Sequence, residues 1–286
     1  MRQRGLAADE ACYGILVLGY CWVGKMRKAW LLLQEMIGGG YIPDCFVCME
    51  FAKGYANIGR LLTCLNTLAQ LRQLGATVSF DVYRYIISAL CLERRPNAAK
   101  NLLKWMVEDA CKPSVDIYNL IMQAFCSCGS LVDVFRLKDE MIEKDVRPNQ
   151  ETYNIMISFL CKMDGAQEGE CMMEEMISSG LVPDSVTCAA LVGGYCSKGE
   201  VAKAEYLLKY FALDFGIHDN RSFNTLMKVY CEDGLVEDAF GLQNRMMKIG
   251  FVPNTETCKS LIRGLSRSRS IGKLTHGEGH PERIRG

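Results

Sequence analysis

Apolar side chains along this chain recur at the spacing of an amphipathic helix. In residues 150–184, one stripe runs at i, i+3, i+4, i+7 and i+8 through Tyr153, Met156, Ile157, Leu160 and Cys161. This spacing predicts a first helix with one buried face. A second stripe is clearest in residues 10–44, at Met26, Ala29, Trp30, Leu33 and Met36. Each such unit is therefore predicted to hold two helices, and no segment reads as a strand.

The helical pattern repeats every 35 residues. One column is cysteine in six of seven consecutive units: Cys21, Cys91, Cys126, Cys161, Cys196 and Cys231. Methionine, proline and aromatic residues form further columns in the same frame, which no insertion interrupts. The predicted organisation is the end of a truncated repeat at 1–9, seven repeats over 10–254, a partial eighth at 255–266 and a disordered basic tail at 267–286. The seven repeats are 10–44, 45–79, 80–114, 115–149, 150–184, 185–219 and 220–254.

Glycine and proline mark where the predicted helices end. A glycine follows the first helix of most repeats, such as Gly129, and Gly165 is the predicted helix stop in residues 150–184. A Gly-x-x-Pro-Asp or Gly-x-x-Pro-Asn segment closes several repeats, and proline cannot continue a helix. A lone helical pair cannot bury its apolar stripe, whereas stacked pairs can. We therefore predict an all-α, right-handed superhelical solenoid of stacked helix-turn-helix repeats with a long concave groove.

Composition narrows the function further. Hydrophobic residues make up 49% of the chain, which excludes a disordered protein. The 33 basic and 33 acidic residues balance, so the chain is not a polycation that grips nucleic acid by charge alone. Uncharged runs such as Ala11 to Gly24 are too short to cross a bilayer, and we expect no membrane partner. No secretory signal is visible, so we expect the 15 cysteines to be reduced thiols, and those of the column from Cys21 to Cys231 to pack as small apolar groups.

Several segments resemble the pentatricopeptide repeat family. Glu151-Thr-Tyr-Asn154-Ile-Met-Ile and Arg221-Ser-Phe-Asn224-Thr-Leu-Met are similar to the family's V-T-Y-N-x-L-I opening, and Tyr195-Cys-Ser-Lys-Gly199 resembles its Y-C-K-x-G turn. The related tetratricopeptide pattern requires a small residue at the eighth place, where this chain is mostly bulky, as at Ile157. The resemblance covers residues 1–266. Uniform 35-residue units match the plain, P-type class of the family, which is plant organellar.

The resemblance implies that the protein binds single-stranded RNA, one base per repeat, in a mitochondrion or chloroplast. The implied processes are RNA processing, stability, splicing or translation, with other organellar RNA-processing proteins as further partners. Base choice would depend chiefly on the fifth and last residues of each repeat. A fifth residue lies one place beyond the buried aromatic, so it can face the groove, and a polar pair there can address a Watson–Crick edge.

The implied RNA-binding residues lie mainly in residues 115–254. Asn119 with Asn149 implies a pyrimidine, Asn154 with Asp184 implies U, and Asn224 with Asn254 implies a pyrimidine. Ala189 with Asp219 falls outside the usual code and accepts any base. Val186 is the apolar wedge expected to sandwich a base, and Lys162 is the one groove-side lysine expected before a turn. The implied preference is pyrimidine–U–any–pyrimidine, with little contribution from residues 10–114.

Catalysis and cofactors are not expected. His276-Gly-Glu278 has the H-x-E spacing of zinc deaminases but lacks the C-x-x-C that must follow it. Cys45 and Cys48 have C-x-x-C spacing without a second pair, so we expect core packing and no metal. We expect no enzyme, no cofactor and no small-molecule substrate. Two alternatives stay open, a protein-binding helical-repeat scaffold and a truncated, non-functional fragment of a longer repeat protein; acidic residues such as Glu151 at the wedge column favour the former.

Overall fold

The protein is built entirely from helices in the part that the structure describes. The computed structural model describes residues 9–275, with side chains described through residue 266, and that range contains no β-strand. The chain divides into two compact units, Met1–Arg147 (unit one) and Pro148–Gly286 (unit two). The predicted all-α fold of helical repeats is confirmed.

The helices keep the 35-residue frame throughout. The described part of unit one contains α1 (Glu10–Trp22), α2 (Met26–Gly38), α3 (Cys45–Asn57), α4 (Leu61–Gln73), α5 (Phe80–Leu92), α6 (Pro96–Glu108), α7 (Val115–Ser127) and α8 (Leu131–Glu143). That of unit two contains α9 (Gln150–Lys162), α10 (Ala166–Ser178), α11 (Ser185–Ser197), α12 (Val201–Asp214), α13 (Asn220–Glu232), α14 (Val236–Lys248) and α15 (Thr255–Thr275). Within each unit, each first helix of a repeat therefore starts 35 residues after the previous one.

Each unit has two layers of helices. In unit one, α1, α3, α5 and α7 pack side by side, and each also packs against the second helix of its own hairpin. In unit two, α9, α11, α13 and α15 form the corresponding layer. Small residues of one column lie where the paired helices meet and are fully buried: Ala29, Ala99, Ala204 and Ala239. The first-helix layer is the one that carries the predicted base-reading positions.

The turn inside each hairpin requires one residue in the left-handed backbone region. Gly129 fills this place with φ of 75°. The prediction that Gly165 stops α9 is wrong by one residue, because Asp164 adopts the left-handed conformation with φ of 60° and Gly165 is the N-cap of α10. Asp164 occupies the same repeat position as Gly129, and aspartate is among the few residues with a side chain that enter this region.

The cysteine column packs as apolar core. Cys21, Cys161, Cys196 and Cys231 are buried, while Cys91 and Cys126 are half-buried, and no disulfide joins the described cysteines. Burial raises the pKa of Cys21 to about 12 and that of Cys161 to about 11. These thiols therefore stay protonated at physiological pH and have neither the reactivity nor the metal affinity of a thiolate. Their predicted packing role is confirmed.

The C-terminal helix is longer than the partial repeat predicted at 255–266. α15 extends to Thr275, nine residues beyond that repeat, and the disorder of the basic tail stays a prediction. Arg267, Arg269 and Lys273 are good helix formers, and no proline occurs before Pro281, so nothing in this segment terminates the helix. Residues 276–286, including His276 and Glu278, lie outside the described residues. Among the described residues, no helix combines the length and apolarity needed to cross a membrane.

A buried carboxylate ties the last two complete hairpins together. Arg245 on α14 donates from Nε and Nη2 to the two oxygens of Glu205 on α12, at 2.8 and 3.0 Å. Lys209 adds an ion pair at 2.6 Å and the Tyr230 hydroxyl donates at 3.2 Å. Burial of the carboxyl opposes its ionisation, but the hydrogen bonds from Arg245 and Lys209 outweigh this, so the pKa of Glu205 lies below its usual range.

We predict that Glu205→Gln lowers the free energy of unfolding by about 1–3 kcal/mol at pH 7, the usual cost of losing hydrogen bonds to a charged group. Because the folded-state pKa of Glu205 is lowered, its contribution exists above the unfolded pKa and is lost as the pH falls through the folded pKa. Urea unfolding from pH 7 to pH 3 measures this. The difference between wild type and variant should hold down to about pH 5 and then shrink.

Glu237→Gln is the matched control, since Glu237 is exposed on α14. It should change the unfolding free energy little at any of these pH values. A Glu205→Gln effect that stays constant down to pH 3 would contradict the proposed ionisation.

Candidate nucleic-acid interface

The fifth and last residues of repeat 150–184 contact each other directly. Asn154, on α9, donates from Nδ2 to both carboxylate oxygens of Asp184 at 3.1 Å. Asp184 is the N-cap of α11, and its Oδ1 accepts the backbone N–H groups of Val186 and Thr187 at 2.9 and 3.0 Å. The Gln150 side chain donates to Oδ2 at 2.8 Å. Helix capping thus fixes the carboxylate that the asparagine meets.

Repeat 220–254 reproduces this arrangement with an amide in place of the carboxylate. Asn224, on α13, donates from Nδ2 to Oδ1 of Asn254 at 3.1 Å. The same Oδ1 accepts the backbone N–H groups of Glu256 and Thr257 at 3.0 and 3.1 Å. Because that oxygen is occupied, the Nδ2 group of Asn254 is the end of this amide that stays available as a donor.

Two threonines that the sequence analysis missed complete these pairs. The Thr187 hydroxyl donates to Oδ1 of Asn154 at 2.6 Å, and the Thr257 hydroxyl donates to Oδ1 of Asn224 at 2.7 Å. Both threonines are fully buried. Each asparagine amide is therefore held at both ends, by a donor on its oxygen and an acceptor on its nitrogen, which excludes the flipped orientation. The signal in the sequence was the third residue of the following repeat, which is threonine in both cases.

The repeat between them lacks the asparagine and opens a cavity. At Ala189 no side chain can reach Asp219, whose carboxylate instead accepts from the Ser222 backbone N–H at 3.0 Å and from the Ser222 hydroxyl. A cavity of about 890 Å³ lies between α9 and α11. Four of the predicted site residues line it: Lys162, Val186, Ala189 and Asp219. Val186 is 50% exposed, as a base-contacting wedge must be.

Asn119 and Asn149 belong to different compact units. Asn119 lies on α7 in unit one, where it is 2% exposed, so it is not a solvated surface residue. Asn149 is the N-cap of α9 in unit two. Its Oδ1 accepts from the Thr152 backbone N–H at 2.9 Å, and the Thr152 hydroxyl accepts from its own N–H at 3.2 Å, which forms a capping box. Their joint reading as a pyrimidine pair stays a prediction.

Sequence comparison decides the family. Residues 113–162, 152–197 and 218–267 match the PPR repeat family. Residues 66–128 match the pentatricopeptide repeat domain, and residues 11–41 and 186–210 match the PPR repeat. The chain belongs to the pentatricopeptide repeat family. Its uniform repeats are those of the plain, P-type class, as predicted.

Solved structures with the same fold include two of a pentatricopeptide repeat protein, PPR10. PPR10 from maize superposes with a TM-score of 0.59 at 20% identity, over 99% of this chain and 46% of its own. PPR10 in complex with an 18-nt psaJ RNA element gives a TM-score of 0.58 at 22% identity, over 99% and 42%. Nuclear proteinaceous RNase P 2 from A. thaliana gives 0.50 at 15%, over 64% and 41%. This chain thus spans less than half the length of the PPR10 chains. No curated protein sequence matches it.

The pentatricopeptide repeats in residues 10–114 form no comparable fifth-to-last side-chain pair. The first of them has Gly14 opposite Asp44, and Asp44 caps α3 by accepting the Val47 N–H at 2.8 Å. Ser79 and Ser114 make no side-chain cap hydrogen bond. A groove with fixed polar pairs is therefore a property of the later repeats.

Charge opposes RNA binding in these later repeats. Residues 150–254 contain eight basic and fifteen acidic residues, a net charge of −7. Lys162 and Arg221 are the two cations that line the cavity beside α11. The surface of these repeats is thus suited to recognition by fixed hydrogen bonds more than to attraction by charge.

No group of three or more metal-binding side chains occurs among residues that the structure describes.

We predict that Thr187→Val frees the Asn154 amide without unfolding α11. The substitution keeps the side-chain shape but removes the donor on Asn154 Oδ1. Hydrogen exchange of the Asn154 side-chain amide, followed by NMR, should speed up about fivefold, which corresponds to a loss of about 1 kcal/mol.

Thr225→Val is the matched control, because the Thr225 hydroxyl donates only to the Arg221 carbonyl of its own helix. It should leave the Asn154 signal unchanged. Equal exchange rates in wild type and Thr187→Val would show that the threonine does not hold the amide.

Proposed function

We propose that this protein binds single-stranded RNA without catalysis, one base per repeat, along the first helices of residues 115–254. The observation that carries the proposal is the set of Asn154, Asp184 and Thr187, which recurs in Asn224, Asn254 and Thr257 with matching distances within 0.1 Å. Polar groups fixed this rigidly at a groove can discriminate between bases, since their geometry is set before the ligand arrives. The RNA complex of the similar protein PPR10 supports the proposal.

The last residue of each set explains the expected base. Asp184 presents only acceptor oxygens, which suit the N3–H donor of uracil and repel the N3 acceptor of cytosine. Asn254 presents its Nδ2 donor, which can meet N3 of cytosine or a carbonyl oxygen of uracil. The pair Asn154 and Asp184 therefore selects U, and the pair Asn224 and Asn254 accepts either pyrimidine.

The repeat 185–219, which lies between these two pairs, provides room for a base but does not select which base binds. With Ala189 in place of an asparagine, the cavity beside Val186 and Asp219 can hold a purine or a pyrimidine. The first pyrimidine position, which the family resemblance assigns to Asn119 with Asn149, stays a prediction. The proposed preference is pyrimidine–U–any–pyrimidine, and Lys162 contributes one phosphate contact at this groove.

We further propose that the protein acts in a mitochondrion or chloroplast, in RNA processing, stability, splicing or translation, together with other RNA-processing proteins. This part rests on the family. A protein-binding scaffold is the second candidate. It is favoured by the net charge of −7 over residues 150–254 and by the exposed side chains of Glu151 and Glu256. The salt dependence of RNA affinity separates the two candidates. A steep fall in affinity as salt rises indicates RNA binding, because the slope reports how many counterions the RNA releases.

We predict that an RNA of the form pyrimidine–U–any–pyrimidine binds at least about tenfold more tightly than a purine-only RNA of equal length, measured by fluorescence anisotropy at fixed salt. Tenfold is about 1.4 kcal/mol, the scale of one well-made base contact. The double variant Asn154→Ala/Asn224→Ala should lose most of this preference. Equal affinities of the wild type for the two RNAs would refute RNA reading by these residues.

We predict that Asp184→Asn changes which base is accepted at the second position. Wild type should prefer U over C there by about tenfold, and the variant by less than about threefold, since its amide can turn a donor towards C. Asp214→Asn removes the same charge at an exposed residue and should keep the preference for U. A preference that survives in Asp184→Asn would show that this carboxylate does not contact the base.

A further inference from the structure

Positive charge lines the first three hairpin turns of unit one. Lys25, Arg60 and Arg95 occupy one column of the repeat, 35 residues apart, and immediately precede α2, α4 and α6. All three are exposed. The same column in unit two holds Gly165, Glu200 and Leu235. The column is therefore cationic in the first three repeats, and neutral or acidic in unit two.

A cavity lies between the first two of these turns. It has a volume of about 640 Å³ and is lined by Gly24, Lys25, Met26, Arg27, Lys28, Ile58 and Arg60. Four of the seven lining residues are cations and none is acidic. We call Lys25, Arg27, Lys28 and Arg60 the turn-edge cluster.

The cluster is not neutralised by neighbouring acids. Among the described residues, none of its four cations has a carboxylate within ion-pair distance, whereas Arg95 pairs with Glu93 at 3.5 Å. Lys28 lies 5.8 Å from the centre of the Tyr20 ring, which leaves its charge intact. Unpaired cations that converge on one cavity repel each other, and a bound anion removes that repulsion.

The helix that precedes the cluster, α1, ends in an exposed aromatic ring. Trp22, three residues before Lys25, is 69% exposed, and its indole N–H donates to Glu50 at 2.8 Å. That hydrogen bond orients the ring and leaves most of it accessible. Cations beside an exposed aromatic ring are the combination with which proteins bind single-stranded nucleic acid irrespective of sequence, by phosphate contacts and base stacking.

We propose that the turn-edge cluster is a second RNA-binding surface, which holds phosphates of RNA outside the stretch read by the asparagine sets. The inference rests on the proposed function. It assigns a role to the first two repeats, whose fifth and last residues read no base. It also supplies the electrostatic attraction that residues 150–254 lack. An acidic protein is the competing occupant, and the test separates the two.

The test compares two RNAs with the full chain. One is a six-nucleotide RNA with the preferred pattern, and the other carries the same pattern with unstructured flanks on both sides. The variant is Lys25→Ala/Arg27→Ala/Arg60→Ala. It should bind the short RNA as wild type does, but lose about tenfold or more in affinity for the flanked RNA. The slope of log affinity against log salt should become shallower by about 2, as expected for three lost contacts to a single strand.

The matched control is Lys104→Ala/Lys112→Ala/Lys144→Ala, which removes the same charge from exposed sites elsewhere in unit one. Equal losses in both triple variants would reduce the effect to net charge and overturn the proposal. An unchanged salt slope in the turn-edge variant would also overturn it and leave the acidic protein as occupant. If wild type shows no base preference but the turn-edge variant alone loses affinity for the flanked RNA, the proposed base reading fails while the second surface stands.

Discussion

Two short helices joined by a tight turn cannot cover their own apolar stripe, and the architecture of this protein follows from that constraint. Each stripe is buried only when the next hairpin packs against it, so the residues that face the neighbour must stay in register from repeat to repeat. The cysteine, methionine and alanine columns recur because they occupy these contact positions in successive repeats. Buried thiols such as Cys21 serve it as small apolar groups, because burial keeps them protonated.

The same register brings polar side chains of each repeat into contact. A fifth residue and a last residue, thirty apart in sequence, meet because one lies on a first helix and the other caps the first helix of the next hairpin. Capping already occupies one oxygen of Asp184 or Asn254, which determines what each can offer to a base. In the proposed function, helix capping and base choice therefore depend on the same atoms.

Periodicity alone predicted the fold, because 35-residue spacing and two apolar stripes leave little freedom. The pairing of Asn154 with Asp184 followed from family resemblance, but the buried hydroxyl of Thr187 did not, since a threonine between Val186 and Cys188 reads as ordinary helix sequence. The turn at Asp164 was misjudged because glycine is the stronger signal. The extension of α15 beyond residue 266 was not predicted, because basic, serine-rich sequence resembles a tail even where it can remain helical. The turn-edge cluster was missed because balanced net charge conceals where charges lie.

The position of the threonines gives the partial eighth repeat a task. Each set draws its hydroxyl from the repeat that follows it, so a row of sets needs one more first helix than it has asparagines. α15 supplies Thr257 to Asn224 and Asn254, and without it the last set would lose both its cap and its hydroxyl. The single helix at 255–275 therefore completes the hydrogen bonds that hold Asn224 and Asn254 in the hairpin before it.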